Sequence, residues 1–325
     1  MRGAEAHHSP TRAATNRPAL RVAGPARRRR AARAAFASIA ALALGAPTSA
    51  LAAPNDFRFN ATDAAGQGIF FDEAFAPRVD RYERFTTELA YVLAPRLVGP
   101  AETLGHAGFG VGMGWSGSFV SASDPMWRST ERATRLGDAP PSLLHTLHVD
   151  VRKGLPFSFE LGGSLAWLVE SRMMAPTIDV RWALHEGFRY APDFAARVSL
   201  THVVGARDLN LTTLGLDGTL SKGFGVGGIV HLAPYVGWTV MMVAASTRVV
   251  DPTPSNTADV EKNFVFPELG LTSNVHHRLS FGVRALFSFL SVGVHGDWEV
   301  LKETADGTQF FGTVHSVRVK LGLEY

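Results

Sequence analysis

The chain alternates apolar and polar residues with a period of two, and this pattern constrains its fold more than any other feature. The last ten residues, 316–325, show it most clearly. One face of this segment carries Val317, Val319, Leu321, Leu323 and Tyr325, and the other carries Ser316, Arg318, Lys320, Gly322 and Glu324. Because successive side chains of a β-strand point to opposite faces, the pattern predicts a strand with one apolar and one charged face.

The same alternation recurs from Gly105 onward in segments of about ten residues, namely 109–119, 144–152, 157–169, 178–184, 194–200 and 230–242. Their apolar faces carry aromatic residues, including Trp115, Trp167, Trp182 and Trp238. Their other faces carry a charged residue in nearly every segment. Repeated segments of this kind are typical of a transmembrane β-barrel, with a polar lumen and aromatic residues at the membrane interfaces. A soluble β-sandwich also alternates, but it has no need of a charge on nearly every strand.

The spacing between segments predicts the number of strands. Short connections at 153–156, 186–192, 221–227 and 274–278 are interleaved with long polar ones at 121–141, 246–263 and 301–312. Short periplasmic turns and long extracellular loops are typical of outer-membrane barrels. The sequence therefore predicts an all-β fold, a transmembrane antiparallel β-barrel of ten strands, if 279–300 forms one long strand with a bulge. A turn inside that segment would instead favour twelve.

Residues 1–52 have the three parts of a secretory signal peptide. Arg27–Arg30 and Arg33 form a basic region, residues 34–46 are apolar, and Ala50-Leu51-Ala52 is a small-x-small cleavage site. The apolar stretch of about 13 residues is shorter than the roughly 20 that a membrane-spanning helix needs. The sequence therefore predicts cleavage after Ala52 and export to the outer membrane of a Gram-negative bacterium.

Removal of this segment changes the net charge. It contains nine arginines and one acidic residue, so the mature chain keeps 23 basic and 28 acidic residues, a net charge of −5. The basic character of the whole chain thus belongs to the leader, and a nucleic-acid partner is not expected. The absence of cysteine excludes disulfides and thiolate chemistry.

Residues 53–104 precede the barrel, which we assign to 105–325. Residues 53–80 are irregular and polar, and we interpret them as a periplasmic leader. Phe85, Leu89 and Val92 then recur at helical spacing until Pro95. The spacing predicts a short amphipathic helix over 81–93 that plugs the periplasmic end of the barrel or lies against it. A first strand at 88–98 is the alternative.

The inward-facing ionisable residues are the candidate functional set: Asp150, Arg152, Glu160, Asp179, Arg181, Arg197, Asp217, Arg284, Arg318 and Lys320. They come from at least seven predicted strands and point into one interior. They either form a salt-bridged filling of a narrow lumen or line a pore and set its selectivity. Isolated burial of a charge is costly, so in both cases these groups have to be paired or hydrated.

The sequence gives less support for a catalytic or metal-binding site than for a charged lumen. Ser199 or Thr201 lies near His202, but Ser199 and His202 fall on opposite faces of their strand. His148 and Asp150 share a face but lack a nucleophile. The pair His276-His277 lies in a predicted turn and its side chains would diverge. We therefore expect neither enzymatic activity nor a metal or other cofactor.

Two further stretches, Pro100–Phe109 and Ser221–Phe224 with the following Pro234–Trp238, carry a resemblance together with the C-terminal strand. They resemble uncharacterised outer-membrane β-barrel proteins of Gram-negative bacteria. The resemblance implies the location and the fold. It also implies that Tyr325 belongs to the periplasmic aromatic girdle and to the signal read by the barrel assembly machinery. It implies no substrate.

The expected function is a pore or ligand-binding barrel for a small solute or an apolar molecule. The alternatives are a structural or adhesive surface protein with a plugged lumen and, less favoured, a membrane-embedded lipid hydrolase. The expected partners are outer-membrane lipid, the assembly machinery and a small solute or lipid ligand.

Overall fold

The computed structural model describes residues 53–63, 65–97, 99–254, 256, 258–304 and 307–325, with only the backbone considered over 301–304 and 307–313. The predicted signal peptide, 1–52, lies outside the described residues. All of the described residues belong to one unit, Leu51–Tyr325.

Antiparallel strands form a single closed sheet. They are β1 (Phe109–Phe119), β2 (Leu143–Gly154), β3 (Phe159–Leu168), β4 (Met174–His185), β5 (Asp193–Val203), β6 (Leu209–Ser221), β7 (Phe224–Val226), β8 (Val230–Thr247), β9 (Val275–Phe287), β10 (Leu290–Thr304) and β11 (Gly307–Glu324). β1 pairs with β11 and β6 pairs with β8, which closes the sheet, while β7 is a short hairpin partner of β8. The predicted ten-stranded antiparallel β-barrel is confirmed.

The period-two pattern sets which residues face the lumen. In β5 the buried positions include Ala195, Arg197, Ser199 and Thr201, whereas the intervening apolar residues are exposed on the outside. The polar face of each strand is therefore the buried one. A soluble protein buries its apolar face instead. Burial of the polar face is expected when the exterior of a barrel contacts lipid.

The last third of the chain corrects the predicted connections. Residues 279–300 are not one strand, because Ser288 and Phe289 form a tight turn between β9 and β10. Residues 274–278 are not a turn, since β9 begins at Val275, and the predicted loop 301–312 consists largely of the ends of β10 and β11. The change of phase between Phe287 and Leu290 marks the turn and not a bulge. The strand number is still ten because these errors compensate.

The two ends of the barrel differ. The loop end carries the long connections 120–142 and 248–274, together with the short ones 169–173 and 204–208. The turn end carries the connections 155–158, 186–192, 222–229 and 288–289, the start of β1 and the C-terminal Tyr325. Ser158, which alternation assigned to a strand, lies in one of these turns.

Helix α1 (Val79–Leu93) is the long helix of the described chain. Its existence agrees with the predicted helix over 81–93 and excludes the alternative strand. Its position differs, because it packs against both long connections at the loop end and not at the end that carries Tyr325. Short helical turns lie in these connections: Pro125–Ser129, α2 (Glu131–Arg135) and Val260–Lys262. Within the described ranges, no helix has the length and apolarity required to cross a membrane.

Candidate functional site

An aromatic cluster closes the loop end of the barrel. We call residues 53–93 with the connections 120–142 and 248–274 the cap. The ring of Phe85 on α1 lies 4.7 Å from that of Phe57 and 5.1 Å from that of Trp127. The ring of Tyr82 stacks on Phe266 at 4.8 Å. Because these side chains are buried to 4% exposure or less, the cap is a small hydrophobic core and not a set of solvated loops.

Between α1 and β1 the chain passes through the lumen as an irregular strap, residues 94–104, of which residue 98 is not described. At the loop end, Arg278 donates hydrogen bonds to the carbonyls of Tyr91 and Pro95, both at 3.2 Å. Arg96 on the strap donates to Ser118 Oγ at 2.6 Å. Lumen-facing side chains thus supply the hydrogen-bond partners that the irregular backbone of the strap does not find in a helix or a sheet.

The strap continues to the turn end with the same type of contact. Arg181 donates to the Pro100 carbonyl at 2.8 Å, and the Ala101 amide donates to Ser221 Oγ at 2.9 Å. The Leu104 amide donates to Glu160 Oε1 at 3.3 Å. The strap is therefore tied to opposite parts of the barrel wall along its length.

The ten candidate residues all lie in this lumen. Eight of them are fully buried, and Arg284 and Lys320 are partly buried. Arg152 lies between two carboxylates, with Nη1 3.4 Å from Glu160 Oε2 and Nη2 bonded to Asp179. Glu160 also pairs with Arg181. Their roles in selecting a solute remain a prediction.

The remaining candidates extend this network around the wall. Arg197 Nε lies 2.8 Å from Asp217 Oδ2, and its Nη1 lies 3.5 Å from Asp179 Oδ1. On the opposite side, Lys320 Nζ lies 2.7 Å from Asp150 Oδ2, with Arg318 Nη2 3.8 Å from Oδ1 of the same residue. Charges of both signs alternate, as low-dielectric surroundings require.

Two charged residues of the barrel, Arg284 and Glu186, fix the strap to the turn end. Arg284 binds the carboxylate of Glu102 on the strap, and its Nη1 lies 3.2 Å from Glu324 Oε2 on β11. Thr103 donates its amide to Glu186 Oε2 at 2.8 Å. The charged residues therefore bind the plugging segment as well as one another.

Several lumen residues were missed by the sequence analysis. Asp297 is buried and accepts from Ser280 Oγ at 2.6 Å, while His295 Nε2 lies 2.8 Å from its Oδ1. Continued alternation along β10 would have found both, and along β9 it would have found Arg278. Arg96 and Glu102 gave no signal, because nothing in an irregular segment indicates that it enters a barrel.

A cavity of about 50 Å³ remains beside the strap in the turn-end half. Its ionisable lining comprises Asp150, Arg152, Glu160, Arg181, Tyr235, Arg284, His295, Arg318, Lys320 and Glu324. Since one water needs about 10–15 Å³ of such volume, the space accommodates a few waters. A space of this size has room for water beside the network but not for a larger solute.

The arrangement does not assemble a hydrolytic triad from the candidates. Ser199 and Thr201 face the lumen, whereas His202 faces outward and contacts Thr212 Oγ1 at 2.9 Å. His148 accepts from Arg318. His276 and His277 lie at the start of β9 and not in a turn. Within the described part of the chain, no three His, Asp or Glu residues are grouped to hold a metal ion.

The outside of the barrel is apolar, with aromatic residues towards both ends. At the turn end lie Phe157, Trp182, Tyr190, Phe289 and Tyr325, and the rings of the last two stack at 6.0 Å. Phe119 and Trp167 lie near the loop ends of β1 and β3. Trp115 and Trp238 lie nearer the middle of their strands, and their indoles donate to His145 and His277. The distribution matches a lipid-facing belt with aromatic borders.

Comparison with known proteins gives similarity at the level of structure. No family model matches the chain, and no curated protein does. Matching solved structures include outer-membrane β-barrel proteins. Ail, the attachment invasion locus protein of Yersinia pestis, is 10% identical over 68% of this chain and 99% of its own, with a TM-score of 0.25.

Two other solved structures show the same level of similarity. The beta domain of the Bordetella autotransporter BrkA is 11% identical over 67% of this chain and 100% of its own, with a TM-score of 0.36. The KdgM porin is 8% identical over 65% of this chain and 98% of its own, with a TM-score of 0.27. These values are too low to transfer a role.

Proposed function

We propose that the protein is an outer-membrane barrel with a permanently plugged lumen, which presents its cap at the cell surface in a structural or adhesive role. The observation that carries this proposal is the strap, which fills the lumen and is hydrogen-bonded to it from end to end. This favours the plugged alternative over the open pore that the sequence led us to expect.

Location in the outer membrane is supported by the barrel exterior. Val149, Ile178, Val198 and Val319 are exposed on the wall at 39–65% of their surface, although nothing in the described chain covers them. A soluble protein would bury such a continuous apolar belt. Export by the predicted signal peptide and orientation with Tyr325 in the periplasm belong to the same proposal, and they place the cap outside.

A surface role is supported by the construction of the cap. Two long connections and the segment 53–93 share one aromatic core, so the outer face is held in a fixed shape. A fixed surface reduces the ordering cost of binding a partner.

Ion conductance in planar bilayers tests the plug. We expect the full-length mature chain to insert without a stable open level, because the strap blocks the lumen. A cysteine pair, Leu97→Cys with Gly237→Cys, provides the control. A Cβ added at Gly237 would meet Leu97 Cδ2 at 2.7 Å, and the chain has no other cysteine to interfere.

Both forms of the control variant, oxidised and reduced, should be as silent as the unaltered chain. A stable, ion-selective conductance that persists in the oxidised form would show an open path beside the strap. A conductance that oxidation abolishes would show that the strap moves as a gate. Either result would contradict a permanent plug.

A further inference from the structure

The first described residues are fixed at the loop end of the barrel. Asn55 donates its amide to the Glu170 carbonyl at 2.8 Å and its side-chain Nδ2 to the Val169 carbonyl at 2.8 Å. Both acceptors belong to the connection 169–173 between β3 and β4. The chain therefore begins its described course on the cap and reaches β1 only by passing down through the lumen.

Asp56 is bound on two sides at this point. Its carboxylate accepts from the amide of Arg172 at 2.8 Å and from Arg172 Nε at 2.9 Å. Oδ2 also accepts from the backbone nitrogen of Ala53 at 3.0 Å. Asp56 itself is only 9% exposed, whereas Ala53 is partly exposed.

Ala53 is also the residue that follows the predicted cleavage site. Hydrolysis of the 52–53 peptide bond consumes one water, leaves a carboxylate on Ala52 and an amine on Ala53, and the amine takes a proton at neutral pH. The nitrogen that donates to Asp56 in the uncleaved chain would then be an ammonium. A neutral hydrogen bond would become a charge-assisted one, which is shorter and stronger.

We infer that leader removal creates an α-ammonium group on Ala53 that pairs with Asp56 at the loop end, so that the mature N-terminus is displayed on the cell surface. This inference rests on the proposed outer-membrane orientation. It adds a processing-dependent ion pair to the cap, and it reverses the periplasmic placement of residues 53–80 that the sequence suggested.

Amine labelling of intact cells tests both the start of the mature chain at Ala53 and its exposure on the cell surface. Cells that express the full precursor are treated near neutral pH with a membrane-impermeant, amine-reactive reagent, and the purified mature chain is analysed by mass spectrometry. The chain supplies its own reporters, because Lys262 lies in a loop-end connection while Lys153 and Lys222 bind carbonyls at the turn end.

We expect Ala53 and Lys262 to be labelled on intact cells, and Lys153 and Lys222 only after the outer membrane is permeabilised. If Lys262 is labelled on intact cells but Ala53 is labelled, like the turn-end lysines, only after permeabilisation, the inference is overturned and the proposed orientation stays intact. Lys262 protected and Lys222 labelled on intact cells would overturn the orientation itself. A mature chain that begins at another residue would overturn the pairing with Asp56.

The variant Asp56→Asn tests the ion pair. Loss of the carboxylate should raise the labelling rate of Ala53 relative to Lys262 by about twofold to fivefold, as expected for a partly exposed pair. Asp63→Asn is the matched control, since the Asp63 carboxylate accepts from the amides of Ala65 and Gln67 in its own segment and its loss should leave the rate unchanged. Equal rates in both variants would refute the pairing.

Discussion

At the scale of single residues, the lumen depends on carboxylates that each serve two cations. Glu160 contacts Arg152 and Arg181, and Asp150 contacts Arg318 and Lys320. Removal of one such carboxylate takes a charge partner from two guanidinium or ammonium groups at once. The network is therefore more sensitive to loss of an acid than its number of ion pairs suggests.

Glu160→Gln should destabilise the folded barrel by about 3–5 kcal/mol, because it removes the carboxylate bound to the buried Arg181 and leaves the buried Arg152 with Asp179 alone. Glu170→Gln is the matched control, since Glu170 pairs with Arg132 at an exposed site and should cost about 1 kcal/mol or less. Denaturant unfolding in lipid vesicles measures both. Similar losses in the two variants would mean that the lumen charges are well hydrated and not buried.

The wall gives a second prediction at this scale. Val149→Arg places a charge on the apolar exterior and should cost about 2–4 kcal/mol if the residue lies at mid-bilayer depth. Val249→Arg is the same change at an exposed loop position and should have little effect. The fraction of assembled barrel recovered from membranes reports the difference, and equal recovery would contradict the assigned lipid-facing surface.

At the scale of elements, α1 is the centre of the cap and not of the barrel. Phe85→Ala removes a ring that is 0% exposed and should destabilise the cap by about 3–5 kcal/mol. Limited proteolysis from the outside should then cut within 53–93 or 248–274 while the barrel stays intact. Phe157→Ala, at an 88% exposed ring, is the control and should leave the cap resistant.

The strands could be predicted from the sequence because alternation is a property of each segment and needs no knowledge of its neighbours. The turn at Ser288–Phe289 left only a change of phase, which a bulge explains equally well. The place of α1 could not be predicted, because its partners Trp127 and Phe266 lie in long connections whose polar composition indicated solvated loops. The course of the strap through the lumen could not be predicted for a similar reason. Its hydrogen-bond partners, such as Arg278 and Arg181, are distant in sequence.

At the scale of the whole molecule, closure of the sheet between β1 and β11 predicts heat-modifiable migration. Unboiled protein from the outer-membrane fraction should run differently from boiled protein on a denaturing gel, because detergent alone does not open a closed barrel. The oxidised pair Leu97→Cys with Gly237→Cys should shift the temperature of this change upward relative to its reduced form. A soluble periplasmic protein without a shift would contradict the membrane barrel.

The route of the chain also fixes an order of events in folding. The strap leads directly into β1, whose pairing with β11 from Gly110–Glu324 to Phe119–His315 closes the sheet. If that seam formed first, residues 53–93 would have to thread a finished cylinder to reach the far side. We therefore expect the seam to close around a strap that already lies in the lumen, so that this segment acts as a template for barrel closure as well as a plug.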